Sequence, residues 1–369
     1  MLVFLILLAI IATCAVYLRG SGVPVFLYHQ VNEHSNIDRE LFEKHLDYIH
    51  AQNLNTFTFT EARDRIARHG MLPQNSLLIT FDDGYYDNYR HVFPLLKKYG
   101  IKATFFLNTM FIQDKADRSS SVILHSDEAN RNAVENYYRT GDGRTDQYMT
   151  WEEIREMQAS GLCDFQAHTH VHKMAVASLQ LKSILSLPPY SREIIQLFDG
   201  RPEEGLPVFR FRGETTVSRF MPSEKFMQVF RGYYQDHLRQ LNPAKRMSKA
   251  KDFIKTYKNP IAESESLDQA EHRIRTELRT NKEIIEKNLK TKVFAFAWPY
   301  GHKGKFTREF IRKEEIYTFV SCKKGTNRRK MDFDLVRRIE LRKPTLENFK
   351  FAVRVNLNLL TGKIYEFFT

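Results

Sequence analysis

The chain has 369 residues, 42% of them hydrophobic and 28 of them Phe, enough for one large domain or two ordinary ones around a substantial core. Its formal net charge of +12 is scattered, apart from short groups such as Lys323-Lys324 and Arg328-Arg329-Lys330. With no zinc-finger spacing, no basic heptads and no aromatic-glycine RNA motif, this charge does not point to nucleic acid; anionic headgroups or an acidic polymer suit it better.

Residues 2–18, "LVFLILLAIIATCAVYL", are uncharged and as a helix would reach about 25 Å, at the short end of what spans a bilayer. No Lys or Arg precedes the run, which weakens the usual signal-peptide layout. Residues 1–22 are therefore expected to anchor the chain in a membrane, with the body in the bacterial periplasm or at the cell surface. Cleavage of that segment would instead give a secreted protein. Cys14, Cys163 and Cys322 make no disulfide framework, and only the last two could pair within the body.

Next, "VPVFLYHQV" reads as a buried strand ending in a polar turn. In "DRELFEKHLDYIHAQNL", Leu41, Phe42, His45, Leu46 and Ile49 recur at helical spacing, and residues 54–59 follow as a strand. "NSLLITF" is another strand, "NYRHVFPLLKKYG" a helix stopped by Gly100, and "KATFFLN" a further apolar, β-rich run. "TWEEIREMQASG" is an N-capped helix with acids in its first turn, and "LCDFQAHTHVH" a strand running into histidines. Residues 111–148 and 174–265 break the rhythm as insertions, the second mixing aromatic and basic residues and predicted to pack over one end of the core. The helical period returns over 267–289, with Ile274, Leu278, Ile285 and Leu289 on one face, before the strands "KVFAFA" and "IYTFVSC". Strand and helix alternating at short intervals imply a parallel α/β fold.

Three of these strands end in unusual chemistry: Asp82-Asp83 after "LLIT", "HTHVH" after "LCDFQA", and "WPYG" after "KVFAFA". Adjacent carboxylates repel, so either they sit in a solvated turn or a cation holds at least one. In a parallel α/β barrel the strand ends share a rim, which would bring an Asp together with His168 and His172. One carboxylate and two imidazoles leave open positions on a divalent metal for water and substrate.

"TFDDGYYDN" and "HTHVH" resemble the first two motifs of NodB-type polysaccharide deacetylases, and "FAWPYG" is similar to the third motif of the branch acting on poly-N-acetylglucosamine. "YHQV", "FEKHLDYIHAQNL" and "YMTWEEIREMQASG" also resemble that branch, so the likeness covers about 23–109, 148–174 and 267–341. The resemblance implies a distorted (β/α) barrel over 23–369 with a large insertion. It also implies a divalent metal, most simply zinc (cobalt, nickel or iron being alternatives), held by Asp83, His168 and His172. Asp82 would take the proton from the attacking water. The backbone N–H of Tyr300 would hold the oxyanion, and Trp298, Pro299 and Tyr300 would line the sugar site.

The sequence departs from the wider family twice. The Arg that usually opens the third motif is replaced by Ala297-Trp298, and Arg338 in "LVRRIEL" is expected to tether the base instead. The late His-Asp motif is missing, which leaves His29 in "LYHQV" as the candidate to protonate the leaving amine. The implied substrate is an N-acetylated glycan of the cell envelope; a lipid-linked sugar and a non-catalytic carbohydrate binder are the alternatives.

Overall fold

The computed structural model describes residues 20–116, 118, 127–141, 146–304 and 306–368. Its centre is a barrel of seven strands: β1 (Val25–Tyr28), β2 (Ser76–Asp83), β3 (Ala103–Asn108), β4 (Cys163–Thr169), β5 (Ala295–Ala297), β6 (Thr318–Ser321) and β7 (Val336–Arg337). They pair in that order, every pair parallel. A parallel bridge between Phe26 and Ile339, carried by Leu27 N–H to Ile339 O (3.0 Å) and Ile339 N–H to Val25 O (2.8 Å), closes β7 onto β1. Strands buried on both faces read as continuous apolar runs, and all eight residues of β2 are buried, its two terminal aspartates included.

Helices on the outside follow from local signals. Asp38 caps Arg39–Ala51, whose buried face is Phe42, His45, Leu46 and Ile49. Thr150 and Glu153 form a capping box for Trp151–Ala159, and Leu267–Leu289 buries Ile274, Leu278, Ile285 and Leu289. One expected strand is shorter than read: over 54–59 only Asn55–Thr56 pairs in the sheet. Thr58 and Glu61 build a capping box that starts the helix Phe59–His69 at the point where the apolar run suggested a strand. Cys163 and Cys322 are both free thiols.

The 174–265 segment has its own organisation. An antiparallel ribbon of Met174–Ile184 and Pro207–Gly213 carries the short helix Arg192–Leu197 at its turn, and Glu224–Tyr233 and Pro243–Thr256 pack against it. Leu181, Phe209, Phe226, Phe230, Tyr234, Leu238 and Ala250 form a small apolar cluster distinct from the barrel core. Of the expected anchor over 1–22, residues 1–19 lie outside the described residues.

Candidate active site at the strand ends

β2 delivers Asp82 and Asp83 to the rim on opposite faces, as a period of two requires. Arg338, which follows β7 and is wholly buried, grips Asp82 with Nη1 to Oδ1 and Nη2 to Oδ2, both at 2.7 Å. Burial pushes the Asp82 carboxyl up, but Arg338, helped by His168 and His29, outweighs it and holds the pKa below the usual carboxylate value.

Asp83 turns the other way. Asn108 Nδ2 donates to its Oδ1 at 2.7 Å, and that oxygen lies 3.5 Å from His168 Nε2 and 3.6 Å from His172 Nε2. His168 Nδ1 is 2.8 Å from Ala297 O; a carbonyl can only accept, so Nδ1 carries the proton and Nε2 presents a lone pair. His172 is aimed by its backbone, whose N–H donates to Thr169 Oγ1 at 2.8 Å. Burial lowers the pKa of both imidazoles, which keeps them neutral. Asp83, His172 and Tyr300 all have positive φ, at 77°, 56° and 56°, a conformation that side-chain-bearing residues hold only when the surroundings impose it.

One ligand atom from each of Asp83, His168 and His172 lies within 4.8 Å of the other two. A buried carboxylate and two buried, neutral imidazoles that converge fit a divalent cation of zinc type, so the donor set passes the chemical test for a metal centre. His170 faces elsewhere, with Nδ1 2.9 Å from Thr109 Oγ1. His29 follows β1 on the rim and acts electrostatically on Asp82, Asp83 and His172. Its Nδ1 is 3.8 Å from Glu340 Oε1, and both line a cavity of about 200 Å³ with Gln30, His34 and Ser35.

The expected sugar-stacking wall is corrected. Trp298 is 1% exposed, packed between Phe296 (5.0 Å, edge-on) and Phe319 (5.9 Å, stacked), and Pro299 is buried too. Packing of the β5 end against β6 buries the indole. Tyr300 remains at the site, its ring 4.6 Å from that of His172.

Sequence reasoning missed three residues. Arg192, from the inserted ribbon, donates from Nη1 to Asp83 Oδ2 at 2.9 Å and to Tyr85 Oη at 2.6 Å. It outweighs burial, with the histidines, and holds the Asp83 carboxyl well below the usual range. From the same helix, Gln196 accepts from the Tyr300 hydroxyl, so Arg192–Leu197 roofs the centre. Asp87 accepts from Val31 N–H (3.0 Å) and Asn32 Nδ2 (2.7 Å), tying the loop after His29 to the turn after β2. The third acid in "DDGYYD" was the available signal for Asp87; Ser191 as a cap announced the Arg192 helix but not its direction.

Residues 69–201 match the family model described as polysaccharide deacetylase. That match spans less than half of the chain and makes this stretch similar to a polysaccharide deacetylase domain. Among curated relatives, it is 37% identical over 91 residues (24% of the chain) to the polysaccharide deacetylase-type protein YxkH of Bacillus subtilis. It is 29% identical over 141 residues (38% of the chain) to the poly-β-1,6-N-acetyl-D-glucosamine N-deacetylase of Staphylococcus epidermidis. The chain spans only 33% and 39% of those two relatives' own lengths. Among solved structures, IcaB from Ammonifex degensii superposes with a TM-score of 0.53 at 20% identity, covering 91% of this chain and 98% of that one. A de-N-acetylase from Aggregatibacter actinomycetemcomitans gives 0.57 at 16% identity, with 89% and 99% covered. These likenesses establish the deacetylase fold of the barrel.

Proposed function

We propose that this deacetylase domain hydrolyses the acetamide of an N-acetylated amino sugar in a cell-envelope polysaccharide, with Asp83, His168 and His172 holding a divalent metal, most simply zinc. The observation that carries the reading is the division of partners between neighbouring carboxylates: Asp83 clusters with the two imidazoles, while both oxygens of Asp82 are taken by Arg338. A bound cation supplies Lewis acidity and makes water a nucleophile near neutral pH.

The chain's own groups then share the proton work. Asp82, kept ionised and oriented by Arg338, takes the proton from the attacking water. Water oxygen bonds to the acetyl carbon, and the backbone N–H of Tyr300 stabilises the carbonyl oxygen as it gains charge. Collapse breaks the C–N bond, and His29 delivers the proton that the amine needs to leave, giving acetate and the free amino sugar. The body would work outside the cytoplasm, tethered through residues 2–18.

The test is acetate release by the metal-loaded full chain from β-1,6-linked N-acetylglucosamine oligomers and from chitin oligomers, with a chelator control. Metal-dependent release from either supports the reading. Silence from both, with metal bound, favours a lipid-linked sugar, and unchanged glycan binding by Asp82→Asn with no turnover in any form favours a carbohydrate-binding relative.

A further inference from the structure

The chain enters the fold at the junction of its last two helices, Leu346–Asn356 and Leu359–Phe368. Gly22 N–H donates to Leu357 O at 2.9 Å, and Leu359 N–H donates to Ser21 Oγ at 3.1 Å. On the outer side of this junction Phe351, Ile364, Phe367 and Phe368 are 51%, 49%, 84% and 77% exposed. Ile364, Phe367 and Phe368 stand three and four residues apart, on one helix face, and Phe351 meets the ring of Tyr365 at 6.2 Å. Beside this crest a groove of about 340 Å³ is lined by Tyr48, Gln52, Asn75, Arg354 and Asn358. Gly20 lies against Asn75, and Lys350 stands over the Tyr48 ring.

We infer that this face, an apolar crest beside a groove bearing Arg354 with Lys350 over its Tyr48 wall, seats on an anionic phospholipid surface. The inference rests on the proposal that residues 2–18 enter a bilayer. From Leu18 to Gly22 the tether is four residues, at most about 14 Å when fully extended, so the junction has no room to stand clear of the membrane. The chemistry matches an interface: aromatic and aliphatic side chains enter the headgroup region while long basic side chains reach the phosphates. The acid on the last helix, Glu366, is already shared by Lys323, Arg337 and Lys363. Residues 1–19 contain no acid and carry Arg19, so they offer the basic groove no counter-charge, and a second copy would set basic groups against their like. The junction adjoins the start of β1, whereas His29 lies past its other end. Docking this way turns the catalytic mouth from the bilayer and favours an extended glycan over a sugar held at a lipid headgroup.

The experiment reconstitutes the full-length Phe367→Trp chain in phosphatidylcholine/phosphatidylglycerol vesicles, with and without brominated acyl chains, and subtracts the unsubstituted protein to remove Trp151 and Trp298. The added indole is expected to lose most of its emission to brominated lipid, to resist acrylamide, and to become acrylamide-accessible again when Lys350→Glu and Arg354→Glu are added. Three results overturn the inference. Acrylamide access in protein that floats with the vesicles rejects this face while sparing the anchor. Protection from acrylamide without bromolipid quenching assigns the cover to protein. Failure to float removes the anchor itself, while leaving acetate release as an independent test of the reaction.

Discussion

The barrel and the 174–265 segment differ in how each earns its fold. Barrel strands are short, buried on both faces and flanked by capped helices, so periodicity and caps specify them directly. The inserted ribbon is half-exposed, shifts register repeatedly between Met174 and Ile184, and depends on its own small cluster around Phe226 and Phe230. Yet both reach the same centre: the barrel supplies Asp82, Asp83, His168 and His172, and the insertion supplies Arg192 and Gln196. The difference teaches that the groups proposed to react come from the barrel, whereas the roof over them comes from the part whose sequence pattern says least.

The comparison is broken first at the barrel's ligands. His172→Ala should reduce bound metal to background and abolish acetate release, checked by elemental analysis and an acetate assay on the same sample. If metal content survives, the three-residue centre is wrong. Asp82→Asn should bind metal like the parent and lose roughly 10²–10⁴ in turnover.

Arg338→Met separates chemistry from stability. It leaves Asp82 buried and unpaired, and breaking a buried pair costs about 3–5 kcal/mol. Thermal unfolding should show that loss, and the double variant Arg338→Met/Asp82→Asn should recover much of it. The pH dependence has the matching sign. Because the folded Asp82 pKa lies below its ordinary 3.8, the stabilisation is present above that value and is lost only as pH falls through the folded pKa. Buried His45 acts earlier: burial lowers its pKa from 6.5 to about 3, so the unfolded chain binds the proton first. Stability should therefore fall by about 1.4 kcal/mol per pH unit between those values, and an isosteric His45→Gln should flatten that slope in denaturant titrations.

The insertion gives the smallest effects on the centre. Phe230→Ala should loosen the ribbon by about 3–5 kcal/mol locally, read by hydrogen exchange, while barrel amides stay protected. Arg192→Ala removes a hydrogen bond to Asp83, a proposed metal ligand, and should weaken metal affinity by about 10- to 100-fold without unfolding the barrel. Equal loss of barrel protection in Phe230→Ala would merge the two regions into one cooperative unit.

How much was legible follows the same division. Asp82, Asp83, His168 and His172 were readable because each follows an apolar strand, and the parallel sheet makes strand ends converge. Arg338 was readable only as a stand-in for an absent arginine, and the structure pairs it with Asp82. Trp298 was misjudged because an indole beside a motif looks like a sugar platform, whereas the packing of β5 on β6 buries it. The strand over 54–59 was read too long because apolar periodicity outweighed the Thr58–Glu61 cap. Arg192 was out of reach: a register-shifted ribbon has no period from which the direction of its turn helix can be computed.

The most direct test of the central division between the two aspartates pairs metal stoichiometry with acetate release in parent and Asp82→Asn protein prepared side by side. One ion per chain in both, with acetate released by the parent alone, is the predicted result. Loss of the ion in the variant would place Asp82 among the ligands, and unchanged turnover would remove it from the chemistry; either result contradicts the account.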